Sequence, residues 1–280
     1  MRYRLREHIV APEMHQGHEA ATLSKGISPT LPLRDRLFVI FGLAGVIAVS
    51  WVYLVIEASR IGAAPPDIAA MVEMRPRDGM GLLLLFLMWA VMMIAMMLPS
   101  AMPMILLQAA VARKAAEGQS FALSLGVFIA GYAVVWTLFS IVATFIQAFL
   151  ERLALLSPMM VGNSALLGAG ILIAAGVYQM TPVKDVCLRQ CQTPFAFVAT
   201  HWRPGLGGAF RMGLHHGLFC VGCCWVLMAL LFVGGVMNLL WVAAIAFVAL
   251  VEKIAPLGVA AGRLGGVCLI FAGLVVLVHG

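Results

Sequence analysis

The sequence predicts an all-α fold, a polytopic transmembrane helical bundle of about seven spans, on three observations. Of the 280 residues, 63% are hydrophobic and 11% charged, and the mean hydropathy is +1.03. That is more apolar surface than a water-soluble core can hide. The apolar residues gather into runs close to the ~20 that cross a bilayer. None of the runs alternates in the pattern of barrel strands, so helices are the expected way to satisfy the backbone in lipid.

In chain order the runs lie at 37–56, 81–107, 121–149, 163–180, 209–233, 236–251 and 258–278, the sixth being the shortest. Residues 1–36 read as a flexible cytoplasmic tail, polar and without sustained periodicity. Its His8, Met14, His15 and His18 belong to that solvated arm. Because this polar stretch precedes the first apolar run and no small-residue cleavage site follows it, the run reads as a retained helix. The loop at 57–80 mixes acidic and basic residues around Pro65, Pro66 and Pro76 and carries no catalytic signature. Ser120 is a plausible N-cap for the third run. No internal repeat divides residues 37–280, which read as one membrane domain.

The net charge of +6 is a topology signal and does not point to nucleic acid. With the N-terminus inside, only Arg60, Arg75, Arg77 and Arg152 of the 18 basic residues fall on the outer side. The positive-inside rule therefore places the N-terminus in the cytoplasm.

Three motifs carry candidate chemistry. In the second run, MWAVMMIAMMLPSAMPMILL places Met88, Met92 and Met96 along one helical stripe, with Met93 and Met97 on the neighbouring one. Thioethers are weak, soft ligands that suit copper(I). Pro99 and Pro103 free backbone carbonyls and favour a helix lining something polar. After the fourth run, Cys187 and Cys191 stand at i, i+4, with both sulfurs on one helical face in a cytoplasmic segment where thiols stay reduced, which favours metal or redox chemistry over a structural disulfide. In the fifth run, MGLHHGLFCVGCCW puts Met212, His216, Cys220 and Cys223 within an arc of about 80°, with Cys224 about 40° outside it. His215 precedes His216, and Arg211 marks the interface. From Arg211, Cys220 to Cys224 lie about 13–20 Å deeper. Ionisable groups at that depth call for a partner, and thiol, thioether and imidazole together match a soft metal ion.

The other intramembrane polar residues read more plainly. Asn163 is also within the membrane, and Gln179 and Asn238 are expected to hydrogen-bond between helices. Glu252 and Lys253, before Pro256, are expected to reach the inner interface from a helix terminus, the alternative being a buried proton-handling site, and Cys268 to pack. No Walker motif or phosphorylated-Asp signature is present, so ATP-driven pumping by this chain alone is not expected.

The blocks MWAVMMIAMMLPSAMPM, GYAVVW, YQMTPVKDVCLRQC, HHGLFCVGCCW with GGVMNLLW, and EKIAP, in this order over residues 80–275, resemble a bacterial family defined as a domain of unknown function and described as metal-binding integral membrane proteins. The resemblance implies an inner-membrane protein in which His216, Cys220, Cys223, Cys224, Cys187 and Cys191 matter; residues 1–79 lie outside it. The expected function is binding of a soft transition metal, copper(I) above all, for handling or transport, with the lipid bilayer and the ion as partners. The alternatives are a membrane thiol-disulfide oxidoreductase using Cys220-x-x-Cys223 and a non-catalytic scaffold.

Overall fold

The computed structural model describes residues 31–63, 78–114, 120–153 and 165–279. The N-terminal histidines, residues 64–77 of the loop expected at 57–80 and Asn163 lie outside them, and residues 57–63 of that loop continue the first helix. All regular structure among the described residues is helical: α1 (Leu33–Ala63), α2 (Gly79–Lys114), α3 (Phe121–Arg152), α4 (Ala165–Gln179), α5 (Pro182–Gln192), α6 (Pro194–His201), α7 (Gly205–Ala229), α8 (Leu231–Gly234), α9 (Leu239–Ile254) and α10 (Gly258–His279). Each apolar run of the sequence is a helix, but the count of seven spans changes. Among the described residues α1, α2, α3, α7 continued through α8, and α10 are long and apolar enough to cross a membrane. The fourth run qualifies only as the pair α4 and α5, bent by 65°. With 15 residues in α4 and 16 in α9, each reaches about 22–24 Å, short of a ~30 Å hydrocarbon core.

The molecule buries several polar and charged side chains within an apolar core and leaves many large apolar side chains exposed. Phe38, Phe41, Leu166, Leu240, Phe271 and Val278 are exposed, whereas Lys184, Glu252, Lys253, His216, Gln108 and Gln147 are buried. In water such an arrangement would be costly on both counts, because burial of charge is unfavourable and apolar surface is driven inward. In lipid the outer surface has no reason to be polar.

Local signals set the breaks. Thr181 caps α5, its hydroxyl accepting from Lys184 N at 3.3 Å, with Pro182 in the first turn where a missing N–H costs nothing. Asn238 caps α9, its side chain accepting from Trp241 N at 3.2 Å, and its Nδ2 donates to Gly234 O at the end of α8 at 3.2 Å, so it ties two successive helices together. Gly235, at φ 93°, makes the preceding turn. Ser120 does stand at the N-cap of α3, without a side-chain cap bond. The α2 helix runs unbroken through Pro99 and Pro103. In the turn before Pro103, Met97 O accepts from Ser100 Oγ at 2.9 Å and Tyr132 Oη at 3.4 Å.

The site is positioned by the contact of α3 with α7, which is close because glycines line it. A Cβ on Gly213 would stand 2.0 Å from Phe128 O and 3.1 Å from Tyr132 N, and one on Gly131 would stand 2.3 Å from Phe210 O. Neither backbone can yield without separating the helices. Gly213→Val is therefore expected to destabilise the protein by about 3 kcal/mol and to shift Tyr132. Gly207→Val, with nothing within 4 Å of its Cβ, is the control, and the midpoint of thermal unfolding in detergent is the measurement. On the far side of the bundle Gly176, Gly266 and Gly273 bring α4 and α10 together in the same way. Trp89 Nε1 ties α2 to α3 by donating to Gln147 Oε1 at 2.7 Å.

Candidate metal centre

Helix α7 turns its sulfur face inward. Met212, His216, Cys220, Cys223 and Cys224 are all buried on it. Cys220 stands at the centre of the group. Its Sγ lies 3.0 Å from Lys253 Nζ of α9 and 3.2 Å from Tyr132 Oη of α3. Its carbonyl accepts from the thiols of Cys223 at 3.1 Å and Cys224 at 2.9 Å. The Cys191 thiol of α5 lies beside Cys220 and Cys223. Cys224 Sγ is 3.7 Å from Met97 Sδ of α2. Cys187, one turn before Cys191, lays its sulfur on Gly222, where an added Cβ would meet it at 2.8 Å. The i, i+4 pair of α5 thus faces α7 with both thiols.

Lys253 corrects the expectation from sequence. It does not reach toward an interface; it is 5% exposed, and its ammonium touches Cys220 Sγ, Ser100 Oγ at 3.1 Å, Met97 Sδ at 3.5 Å and Cys224 Sγ at 3.9 Å. Glu252 is buried as well and serves a different partner. Its Oε2 pairs with Lys184 Nζ at 2.6 Å and its Oε1 accepts from Gln179 Nε2 at 2.9 Å. Adjacent helical residues point about 100° apart, so one ion pair is closed on one side of α9 while the second cation is delivered among sulfurs on the other. Gln179 does bridge two helices, as its type and place predict. Gln192 Nε2 adds a bond to Glu252 O at 2.7 Å, and outside this pair Arg263 holds Asp185 at 2.6 Å.

His216 lies one turn before Cys220, packed by the rings of Phe128, Tyr132 and Phe197. Both of its ring nitrogens are buried with no hydrogen-bond partner among the described residues. Buried polar atoms are rarely left so, and an imidazole with an open nitrogen is a ready ligand. Other residues singled out from the sequence lie elsewhere. His215 turns from the thiols to His201, with ring centroids 5.4 Å apart. Met212 is buried two turns from Cys220. Met88, Met92 and Met96 are buried in the packing of α2, and it is Met97, on the neighbouring stripe, that reaches the thiols. Cys268 is exposed on α10 and does not pack. Sequence reasoning missed Lys253, Tyr132 and Ser100 at this centre. The one signal for Lys253 was a charged pair closing an apolar run.

Among the described residues no group of three or more His, Cys, Asp or Glu side chains is arranged to hold an ion as it stands. The geometry gives the reason. Cys223 and Cys224 point their thiols back at Cys220 O, and Lys253 holds Cys220 and Met97. The donor set is nevertheless that of a soft ion, with two thiols and a thioether on one cation, the thiols of Cys223 and Cys191 beside them and an unpartnered imidazole a turn away.

Neither the curated proteins nor the solved structures include a match. The family model PpoB2, described as a copper chaperone, matches residues 86–276, a stretch that holds every residue of the centre just described. The chain belongs to this copper chaperone family.

Proposed function

We propose that the protein is an integral membrane copper carrier that takes copper(I) as cargo at the centre between α2, α5, α7 and α9. The observation that carries this reading is the ammonium of Lys253, buried among Cys220, Cys224 and Met97 with no carboxylate within salt-bridge distance among the described residues. A buried cation needs compensation, and here it comes from sulfur. The same atoms suit a monovalent soft cation in place of the ammonium. Cys220, Cys223 and Cys191 are the ligands in this reading, Cys224 and Met97 the flanking donors, and His216 the open imidazole beside them. Copper supplies no chemistry to the chain; it is what is carried. The distribution of basic residues supports a cytoplasmic N-terminus, and the apolar outer surface supports insertion in a bacterial inner membrane.

Loading requires the Lys253 side chain to leave Cys220. The ammonium and the cargo therefore compete for one sulfur, which keeps the ion from being held too tightly to pass on. Lys253→Met removes the competitor and adds a thioether at similar length. A charge-assisted hydrogen bond is worth about 1.5–3 kcal/mol, so the variant is expected to hold copper(I) about 10- to 100-fold more tightly. Competition with a chelator on anaerobically loaded, purified full-length protein measures this. Wild-type protein that takes up no copper(I), or takes it up without sulfur in its X-ray absorption spectrum, overturns the proposal.

A further inference from the structure

A second pair of imidazoles lies outside the thiol centre, where the end of α6 packs against the middle of α7. His201 and His215 stand edge to face, with ring centroids 5.4 Å apart and planes at 84°, and both are partly exposed. His201 is fixed from two sides. Its ring stacks on Phe197 at 4.5 Å, and its Nδ1 lies 3.1 Å from Phe197 O and 2.8 Å from Thr200 Oγ1. A carbonyl can only accept, so Nδ1 carries the proton and Nε2 keeps its lone pair. Metal-ligating histidines are held in this way, with one nitrogen donating to a backbone carbonyl while the other ligates. With centroids 5.4 Å apart, the two rings are close enough for one nitrogen of each to reach a single ion after rotation, at metal–nitrogen bonds of about 2.0–2.1 Å.

We infer that His201 and His215 form a second metal site, a loading station at the mouth of the bundle that takes copper(I) before it reaches the thiols; the inference rests on the reading of the thiol centre as the cargo site. The position fits that order. His215 is about 7.5 Å along α7 from Cys220, and Phe197 packs on one side against His201 and on another against His216, so the open imidazole of His216 lies between the station and the sulfurs. The charge around the station fits a transient, monovalent guest. Arg203 and Arg211 both act on His215 by their charge. They weaken the hold on any cation, and on a dication twice as much. Imidazole is also a poorer match to copper(I) than thiolate, so the ion gains by moving inward.

The test is an anaerobic titration of the purified full-length protein with copper(I), followed by X-ray absorption and by competition with a chelator. Wild-type protein is expected to bind a tight, sulfur-ligated equivalent and a weaker one with imidazole scattering. The double variant His201→Ala with His215→Ala is expected to lose the weaker equivalent and keep the tight one, which also shows that it folds. The single variants His201→Gln and His215→Gln are each expected to weaken that equivalent at least tenfold. A double variant that keeps the weaker, imidazole-ligated equivalent, or single variants that bind it as wild type does, overturn the station. Cys220→Ser in the same series separates the two readings, because it removes the sulfur-ligated equivalent alone. A wild-type protein lacking that equivalent sinks the thiol centre.

Discussion

Cys220→Ser is expected to lower the affinity for copper(I) about 100-fold or more, equivalent to about 2.8 kcal/mol, leaving the purified protein free of tightly held metal after a chelator challenge. The size of the effect follows from where this sulfur stands. Lys253 and Tyr132 both reach it, and the backbone carbonyl of the same residue orients Cys223 and Cys224. Serine keeps the volume and the hydrogen bonds but replaces a soft donor by a hard one, which copper(I) does not favour. The fold should persist, since the neighbours of the hydroxyl remain Tyr132 and Lys253. Cys268→Ser is the matched control, because that thiol is exposed on α10, and it should retain wild-type copper. Copper per protein, read by mass spectrometry of the metal, distinguishes the two. Equal retention in wild type and Cys220→Ser would remove Cys220 from the site and with it the role assigned to Lys253.

Hydropathy exposed the helices because each apolar run is long enough to declare itself without reference to any other part of the chain. It did not expose which of them are full spans. The helices α4 and α9 are bounded by Thr181 with Pro182 and by Asn238, caps that a hydropathy window averages away, and the result is two helices too short to cross alone. The sulfur face of α7 was also legible, since four positions of one helix share a side by periodicity alone. What joins that face to the rest was not. Met97 and Met96 are adjacent and equally apolar, and only the crossing of α2 with the other helices decides that Met97 meets Cys224. Lys253 follows the last apolar residues of its run, which in sequence resembles a charged helix end at an interface. Its burial depends on α9 ending inside the bundle, a tertiary fact with no local trace. His201 stands alone in a segment between runs, and its pairing with His215 requires α6 to fold back against the middle of α7.

The buried pair of Glu252 and Lys184 should show the largest effect on stability. The two side chains are 4% and 1% exposed, Gly262 closes over them with an added Cβ only 3.3 Å from Glu252 Oε1 and 3.5 Å from Lys184 Nζ, and Gln179 supplies the remaining bond. Removing one member of a buried pair leaves the other charged and uncompensated, which costs about 3–5 kcal/mol, so Glu252→Ala is expected to unfold at markedly lower denaturant or temperature than wild type. Replacing both charges together has a different outcome. Glu252→Leu with Lys184→Met fills the same volume with apolar atoms in an interior that otherwise suits them, and such exchanges are often neutral or stabilising, so the double variant should recover to within about 1–2 kcal/mol of wild type. The difference between single and double variants isolates the desolvation of Lys184 from simple loss of packing. If the single variant unfolded with wild-type stability, the pair would not hold α9 against α5. The placement of Lys253 would then need another support, because the Glu252–Lys184 pair on one side of α9 fixes the rotation that turns Lys253 toward the sulfurs on the other.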